Sequence, residues 1–446
     1  MTASILFKDL IDDRPSDGVF RVSRSVFTDP AIFELEMSRI FEATWSFVGL
    51  ETQIPQPHDF VTTFIGRQPV LLMRAEGGEI GCFLNTCRHR ATLLCPFAHG
   101  RQKFYVCRYH GWTYDSAGRN VTVSGKEHGR YPGSFDGMDR GLVPVPRLES
   151  YRGLLFASLS RDVPPLVEYL DDAKTFIDLI VDQSPVGAVE FVAPHIQYTF
   201  DANWKLQFEN GLDSYHFMST HSSYVDILKE RLKVTDMSRF PSEAPDEADA
   251  AGSFGFRNGH AVQWSIQHEP LFARPLGSDL AYFEEVKSRV GPTRAKWMLR
   301  QRNLMIFPNV QLIDICSTQL RTWRPISVDK TEMTSHCLAP VGESAESRRM
   351  RIRGYEDFFN PSGLATSDDN VMYEFCQAGY QARAGATLGY LRGLGPSNHL
   401  VDYAGELGIA PATSSYGGVP LGDETNFHAG YREWRRLIER EEGGRQ

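Results

Sequence analysis

The chain has 446 residues, enough for two or three domains around a sizeable buried core. Its 47 basic and 56 acidic residues leave a net charge of −9, which argues against nucleic acid or an anionic membrane surface as the main partner. Seven cysteines, an odd number at uneven spacing, exclude a disulfide framework and fit a reducing cytoplasm.

The opening "MTASILFKDLIDDRP" carries acids where a secretory signal needs a basic start and an apolar block. Residues 27–44 predict a helix, because Asp29 and Pro30 form a start signal and Phe33, Met37 and Ile40 recur at helical spacing. From 45 to 160, short β-prone runs such as "FVTTFIG", "PVLLMRA" and "KFYVCRY" alternate with Gly, Pro and Asn, the pattern of a small antiparallel β domain. Apolar runs such as "GLLFASL" stop far short of the roughly 20 residues a bilayer requires, so no membrane span is expected.

Beyond 160 the pattern is mixed. "PLVEYLDDAKTFIDLIVDQ" predicts a helix, "AVEFVAPHIQYTF" a strand pair, and "NWKLQFENGLDSYHFMSTH" a strand running into a helix. Residues 241–260 have no period and are expected to form a surface loop, one that would suit an entrance cover. Strands are expected at 303–314, 317–325 and 331–339, and helices at 345–359 and 367–383. The tail "EWRRLIEREEGGRQ" reads as a charged helix that frays. No internal repeat is present.

Two constellations carry chemistry. Cys87-x-His89 and Cys107-x-x-His110 are separated by seventeen residues, and each follows a β-prone run. In extended chain, Cys87 and His89 point the same way. Zinc sites usually place both cysteines in one half and both histidines in the other. Here each half supplies one of each, as a Rieske [2Fe–2S] cluster requires, with two Cys on one iron and two His on the other. The other cysteines (Cys82, Cys95, Cys316, Cys337, Cys376) have no paired spacing and are expected in the core, and His99 is expected in a loop.

The second constellation is Asp213, His216 and His221 in "ENGLDSYHFMSTH". Two histidines with one carboxylate make the facial triad of non-haem Fe(II) oxygenases. On spacing alone the carboxylate is open. Asp213 is near but could instead fix a histidine tautomer. In "ATSDDNVMYEF", Ser367 can cap a helix whose first turn holds Asp368 and Asp369, ordinary helix-start chemistry.

With these motifs in place, the chain resembles the large (α) subunit of Rieske non-haem iron aromatic-ring-hydroxylating dioxygenases, in the benzoate, toluate and anthranilate 1,2-dioxygenase branch. The likeness runs through "FTDPAIFELEM", "ESYRGLLF", "VDQSP", "NWKLQFENGLDSYH", "RNLMIFPNV", "RPISVDKTE" and "YEDFFNPSG". The resemblance implies an α+β fold. An N-terminal helical segment (1–44) packs on the catalytic domain. A small all-β Rieske domain (45–160) is followed by a catalytic domain (161–446) in which a long antiparallel sheet grips helices, a START-like helix-grip.

It further implies Cys87, His89, Cys107 and His110 as cluster ligands, and His216, His221 and Asp369 as iron ligands, with Asp368 left as a helix-start residue. Asp213 matches the carboxylate that carries electrons to the iron from a neighbouring subunit's cluster. Asn210 lies one residue out of step with an asparagine beside the iron in some relatives. The sequence departs from the family at Arg108, where Pro is usual, and at Ala91, where Gly is usual; Arg108 is expected to face solvent.

The implied reaction adds O₂ to an aromatic ring, giving a cis-diol or catechol, with electrons from NADH. No dinucleotide fingerprint is present, so a separate reductase, with or without a ferredoxin, must supply them. A small β subunit and an α3 or α3β3 assembly in the cytoplasm are implied as well. Aniline or another arene as substrate, or oxidative demethylation, would use the same metal sites. A lone electron-transfer protein would need only about the first 160 residues, and a zinc-stabilised binding protein would need no iron.

A benzoate-type substrate requires a cationic or hydrogen-bonding anchor. Arg321 and Arg324 lie on a predicted strand, where an arginine ordinarily faces solvent. Phe208, Leu212, Phe217 and Met218 flank the iron ligands and are candidate pocket walls.

Overall fold

Residues 301–340 fold into a meander. Gln301–Ile306, Val310–Asp314, Thr318–Ser327 and Lys330–Pro340 pair antiparallel in sequence order. The expected strand 303–314 is two strands, because Pro308 and Asn309 punctuate it. Ala261–Ser265, Ala250–Gly255 and Thr413–Gly418 extend the sheet on one side. On the other, Val189–Phe191 and Ile196–Phe200 both pair with Lys330–Pro340, giving nine strands among the described residues. The computed structural model describes residues 10–192, 195–232, 250–266, 274–382, 385–395, 402–418 and 421–440.

This sheet belongs to one of two compact units, which comprises Met1–Ile40 and Val167–Gln446. Its first described residues form a hairpin, Ile11–Arg14 with Val19–Ser23, joined by Thr387–Gly389. A helix then runs over Pro30–Glu36, with the Asp29 side chain accepting from Ala31 N and Pro30 in the first turn, as the start signal requires. A wider turn over Met37–Phe41 ends it, with Met37 and Ile40 fully buried.

The segment 203–210 is helix from its start and not strand. The Asn203 side chain caps it by accepting from Lys205 N, and Trp204–Asn210 follow. Its inner face is fixed by a buried ion pair. Glu36 accepts from Lys205 Nζ at 2.5 Å, Trp204 Nε1 at 2.9 Å and Trp434 Nε1 at 2.7 Å, so a carboxylate fully removed from water has every partner it needs. Trp434 comes from the final helix, Thr425–Glu439, which starts earlier than the charged tail suggested and buries Tyr431, Leu437 and Ile438 as well. Residues 441–446 lie outside the described residues.

Within the expected 241–260 loop, Ala250–Gly255 is a wholly buried strand, and 241–249 lie outside the described residues. Gly252 shows why its small residues fit. A Cβ there would meet Trp264 at 2.5 Å and the Ser415 carbonyl oxygen at 2.6 Å, so the strand fills the sheet by close backbone approach.

The second unit, Phe41–Leu166, is all antiparallel β, as the punctuated runs indicated. It contains a four-stranded sheet (Asp59–Ile65, Gln68–Arg74, Ile80–Leu84, His99–Arg101) and two three-stranded sheets. One core gathers Phe60, Leu71, Met73, Tyr105, Trp112 and Tyr114 around Cys87 and Cys107. Cys82, Cys95 and Cys337 are buried as expected, but Cys376 is exposed on its helix. His99 lies exposed on a short strand. The units differ in kind, and the whole is α+β. No helix of the described residues is long and apolar enough to cross a membrane.

Candidate functional site

The Cys/His quartet sits on two loops of matching construction. Ala91 N donates to the Cys87 carbonyl at 2.9 Å, and Gly111 N donates to the Cys107 carbonyl at 2.9 Å. Each loop closes with a left-handed residue, Ala91 at φ 53° and Gly111 at φ 70°. Glycine meets that demand without strain and alanine does not. The two thiols are buried, while the two imidazoles lie nearer the surface with their Nδ1 atoms 3.1 Å apart. His89 stacks on Trp112 at 5.1 Å, which fixes its plane. Tyr114 Oη lies 3.3 Å from Cys87 Sγ and accepts from Arg88 N. Arg108 is exposed over the Phe97 ring.

This arrangement tests the kind of group it can hold. One zinc ion would gather all four donors about a single centre at bond lengths of about 2.0–2.3 Å. Among the described residues, the one set of three or more such donors found converging on a single point lies elsewhere. Paired thiols within and paired Nδ1 atoms without fit a two-iron cluster with a cysteine end and a histidine end.

The converging set is His216, His221 and Asp369, whose donor atoms lie within 4.8 Å of one another. A turn after Asn210 aims the histidines. Asp213 Oδ1 accepts from the backbone N of Tyr215 and His216, which starts the short helix Phe217–Thr220, and that helix stops at His221. The opposite wall is Thr366–Gly379. Its cap is Ala365 without a side-chain bond, so Ser367 is not the cap; Asp368 and Asp369 fall in its first turn as expected. Asp369 Oδ1 lies 3.2 Å from His221 Nε2 and 3.5 Å from His216 Nε2. Burial alone would raise the Asp369 pKa, but the His221 hydrogen bond and the charges of His221, His216 and Arg321 hold it below the ordinary value.

Behind each imidazole stands a carboxylate. Asp213 Oδ2 is 3.5 Å from His216 Nδ1, and Asp368 Oδ2 is 3.3 Å from His221 Nδ1. With a metal bound, an Nδ1–H directed at these acids would leave each Nε2 free to coordinate beside Asp369. Burial opposes a charged His216, yet Asp213 and Asp369 together raise its pKa. Asp368 is the residue that sequence reasoning missed, because an acid in the first turn of a helix already has an ordinary explanation. Asn210 reaches the centre too, donating from Nδ2 to Asp369 Oδ1 at 3.1 Å.

The donors open into a cavity of about 170 Å³. Phe217, Met218, Ile313, Ile315, Phe358 and Phe359 supply apolar wall, and the neighbouring strands add Gln263, Asn303 and Arg321. Phe208 and Leu212 are buried elsewhere: Phe208 packs against Trp204, Phe307 and Tyr431. Arg324 pairs with Glu332 across the sheet. Arg321 is the surprise, because it points inward and is 5% exposed.

The family model of the Rieske [2Fe–2S] domain matches residues 44–133, and that of the ring-hydroxylating α-subunit catalytic domain matches 190–438. The large subunit of anthranilate 1,2-dioxygenase from Acinetobacter baylyi is 41% identical over 445 residues, 96% of this chain and 91% of that protein. The α subunit of toluate 1,2-dioxygenase from Pseudomonas putida is 41% identical over 376 residues, 83% of this chain and 81% of that one. A structure of naphthalene 1,2-dioxygenase with indole in its active site superposes with a TM-score of 0.80 at 26% identity, covering 96% of this chain and 93% of that chain. The cofactors of the two matched domains are a Rieske [2Fe–2S] cluster and a mononuclear iron. The chain belongs to the family of ring-hydroxylating oxygenase α subunits, with both its Rieske and its catalytic domain.

Proposed function

We propose that this oxygenase adds both atoms of O₂ to an aromatic carboxylate of the benzoate or anthranilate type, forming a cis-diol or catechol. The observation that carries the reading is the His216, His221 and Asp369 set opening directly into a cavity of about 170 Å³ with an apolar wall. Two relatives, each 41% identical over the aligned span, are named for anthranilate and toluate.

In this reading Cys87, His89, Cys107 and His110 hold the cluster, and His216, His221 and Asp369 hold the iron. The cluster supplies electrons singly, and the iron supplies a place for O₂ to react. The chain does the rest. Asp213 and Asp368 fix the imidazole tautomers, and Asn210 steadies Asp369 with a hydrogen bond. Phe217, Ile313 and Phe358 exclude water from the ring. Asp213 is also the relay carboxylate, facing a cluster histidine of a neighbouring copy in an α3 or α3β3 assembly. The electron source is NADH through a separate reductase, with or without a ferredoxin. The relatives' names, "large subunit" and "subunit alpha", support a small companion subunit.

A single-turnover screen tests it. Reduced, iron-loaded protein is exposed to O₂ with benzoate, anthranilate, halobenzoates, salicylate or aniline, and products are identified. Labelled oxygen from ¹⁸O₂ should appear in a dihydroxylated product of an aromatic acid. Oxidation of aniline alone would overturn the substrate assignment, and purely demethylated products would overturn the reaction.

A further inference from the structure

Five arginines are buried among the described residues: Arg274, Arg300, Arg302, Arg321 and Arg351. Four have a carboxylate at ion-pair distance. Arg274 and Arg302 share Asp314, Arg300 meets Glu406 and Arg351 meets Glu343. Arg321 has none. A guanidinium taken out of water without a counter-ion at ion-pair distance is costly, so one inside a folded chain calls for an explanation.

Its setting supplies one. Arg321 stands on Thr318–Ser327, opposite Gln311 and Ser335, on the cavity side of the sheet. Only Nε is engaged, donating to Gln311 Oε1 at 2.9 Å. Gln311 is itself held, accepting from Gln207 Nε2 at 3.0 Å and donating to the Gln207 carbonyl at 3.3 Å. Gly211 leaves room for this brace, because a Cβ there would lie 1.6 Å from Gln311 Nε2. The brace fixes the plane of the guanidinium and leaves both terminal nitrogens without an acceptor among the described residues. Two parallel N–H donors in a fixed plane are the fork that accepts a carboxylate through both oxygens.

We propose that Arg321 anchors the carboxylate of the substrate, and so makes this cavity select aromatic acids over neutral arenes. The inference rests on the reading that the cavity is where the ring is oxidised. Gln311 is the positioning residue, and the apolar wall of Phe217, Ile313 and Phe358 receives the ring. The occupant completes the one buried arginine that has no carboxylate at ion-pair distance among the described residues, and a neutral arene of the same shape does not.

The test is a comparison of benzoate with benzamide, which keeps the shape and removes the charge. Binding to the oxidised, iron-loaded oxygenase is measured by calorimetry without O₂, with iron content and cluster absorbance recorded for each protein. The wild type should prefer benzoate by roughly 100-fold, and Arg321→Gln should abolish that preference while retaining iron. Arg321→Lys keeps the charge but loses the fork, and should weaken benzoate binding by roughly 10-fold. If Arg321→Gln misfolds, the Lys variant decides, and unchanged benzoate affinity there overturns the anchor. Equal loss of both ligands, or an unchanged ratio in Arg321→Gln, also overturns it. Single-turnover products from the wild type separate the two claims. Benzoate oxidised with an unchanged ratio sinks only the anchor, whereas no oxidation of any aromatic acid sinks the functional reading with it.

Discussion

The two metal centres solve opposite problems. The cluster loops are short and local, and backbone shape defines them: two five-residue turns, each closed by one amide and one left-handed residue. The iron centre is assembled across the fold, with Asn210 and Asp369 meeting although 159 residues apart, and charge defines it, with an acid behind each histidine. A centre built on backbone should respond to conformational strain. One built on charge should respond to the loss of a single carboxylate.

Substitutions can break that contrast or sharpen it. Asp369→Ala should have the largest effect, cutting bound mononuclear iron and product by more than about 100-fold while the visible absorption of the cluster stays. Metal analysis beside the absorption spectrum checks it, and a joint loss of both would mean the centres are not independent. Asp213→Ala comes next, with turnover down roughly 100-fold and cluster colour intact; unchanged turnover would remove Asp213 from the relay. Asp368→Asn should weaken iron retention by about 10-fold, read by competition with a chelator, because His221 keeps its place but loses the negative charge behind it. The smallest effects test the loops. Gly111→Ala should destabilise the Rieske unit by about 1–3 kcal/mol, since its φ is left-handed and a Cβ would meet Ser124 Cβ at 2.9 Å. Ala91→Gly should stabilise it by about 1 kcal/mol, both followed by thermal bleaching of the cluster.

What could be read from the sequence follows the same divide. Cys87-x-His89 and Cys107-x-x-His110 announce themselves because their geometry is local, and so does the run of β hairpins around them. The His216 and His221 pair was visible as spacing, but its acid was not, since Asp213, Asp368 and Asp369 are equivalent until the helix Thr366–Gly379 is laid against the turn after Asn210. Family resemblance chose Asp369; only the fold shows Asp368 at work behind His221. Trp, Leu and Phe in Trp204–Asn210 suit strand or helix alike, and the Glu36 pairing decides in favour of helix. The strand Ala250–Gly255 was hidden by having almost no side chains to alternate. The sequence offers Arg321 and Arg324 alike as anchors on a strand whose arginines ordinarily face water; only the sheet shows that this rule fails at Arg321, which lines the cavity.

The Glu36–Lys205 pair has a consequence of its own. It fastens an early segment and the final helix to the same short rod that leads into the iron-binding turn. Undoing that knot, for instance by Glu36→Gln, should therefore slacken the turn that presents His216 and His221.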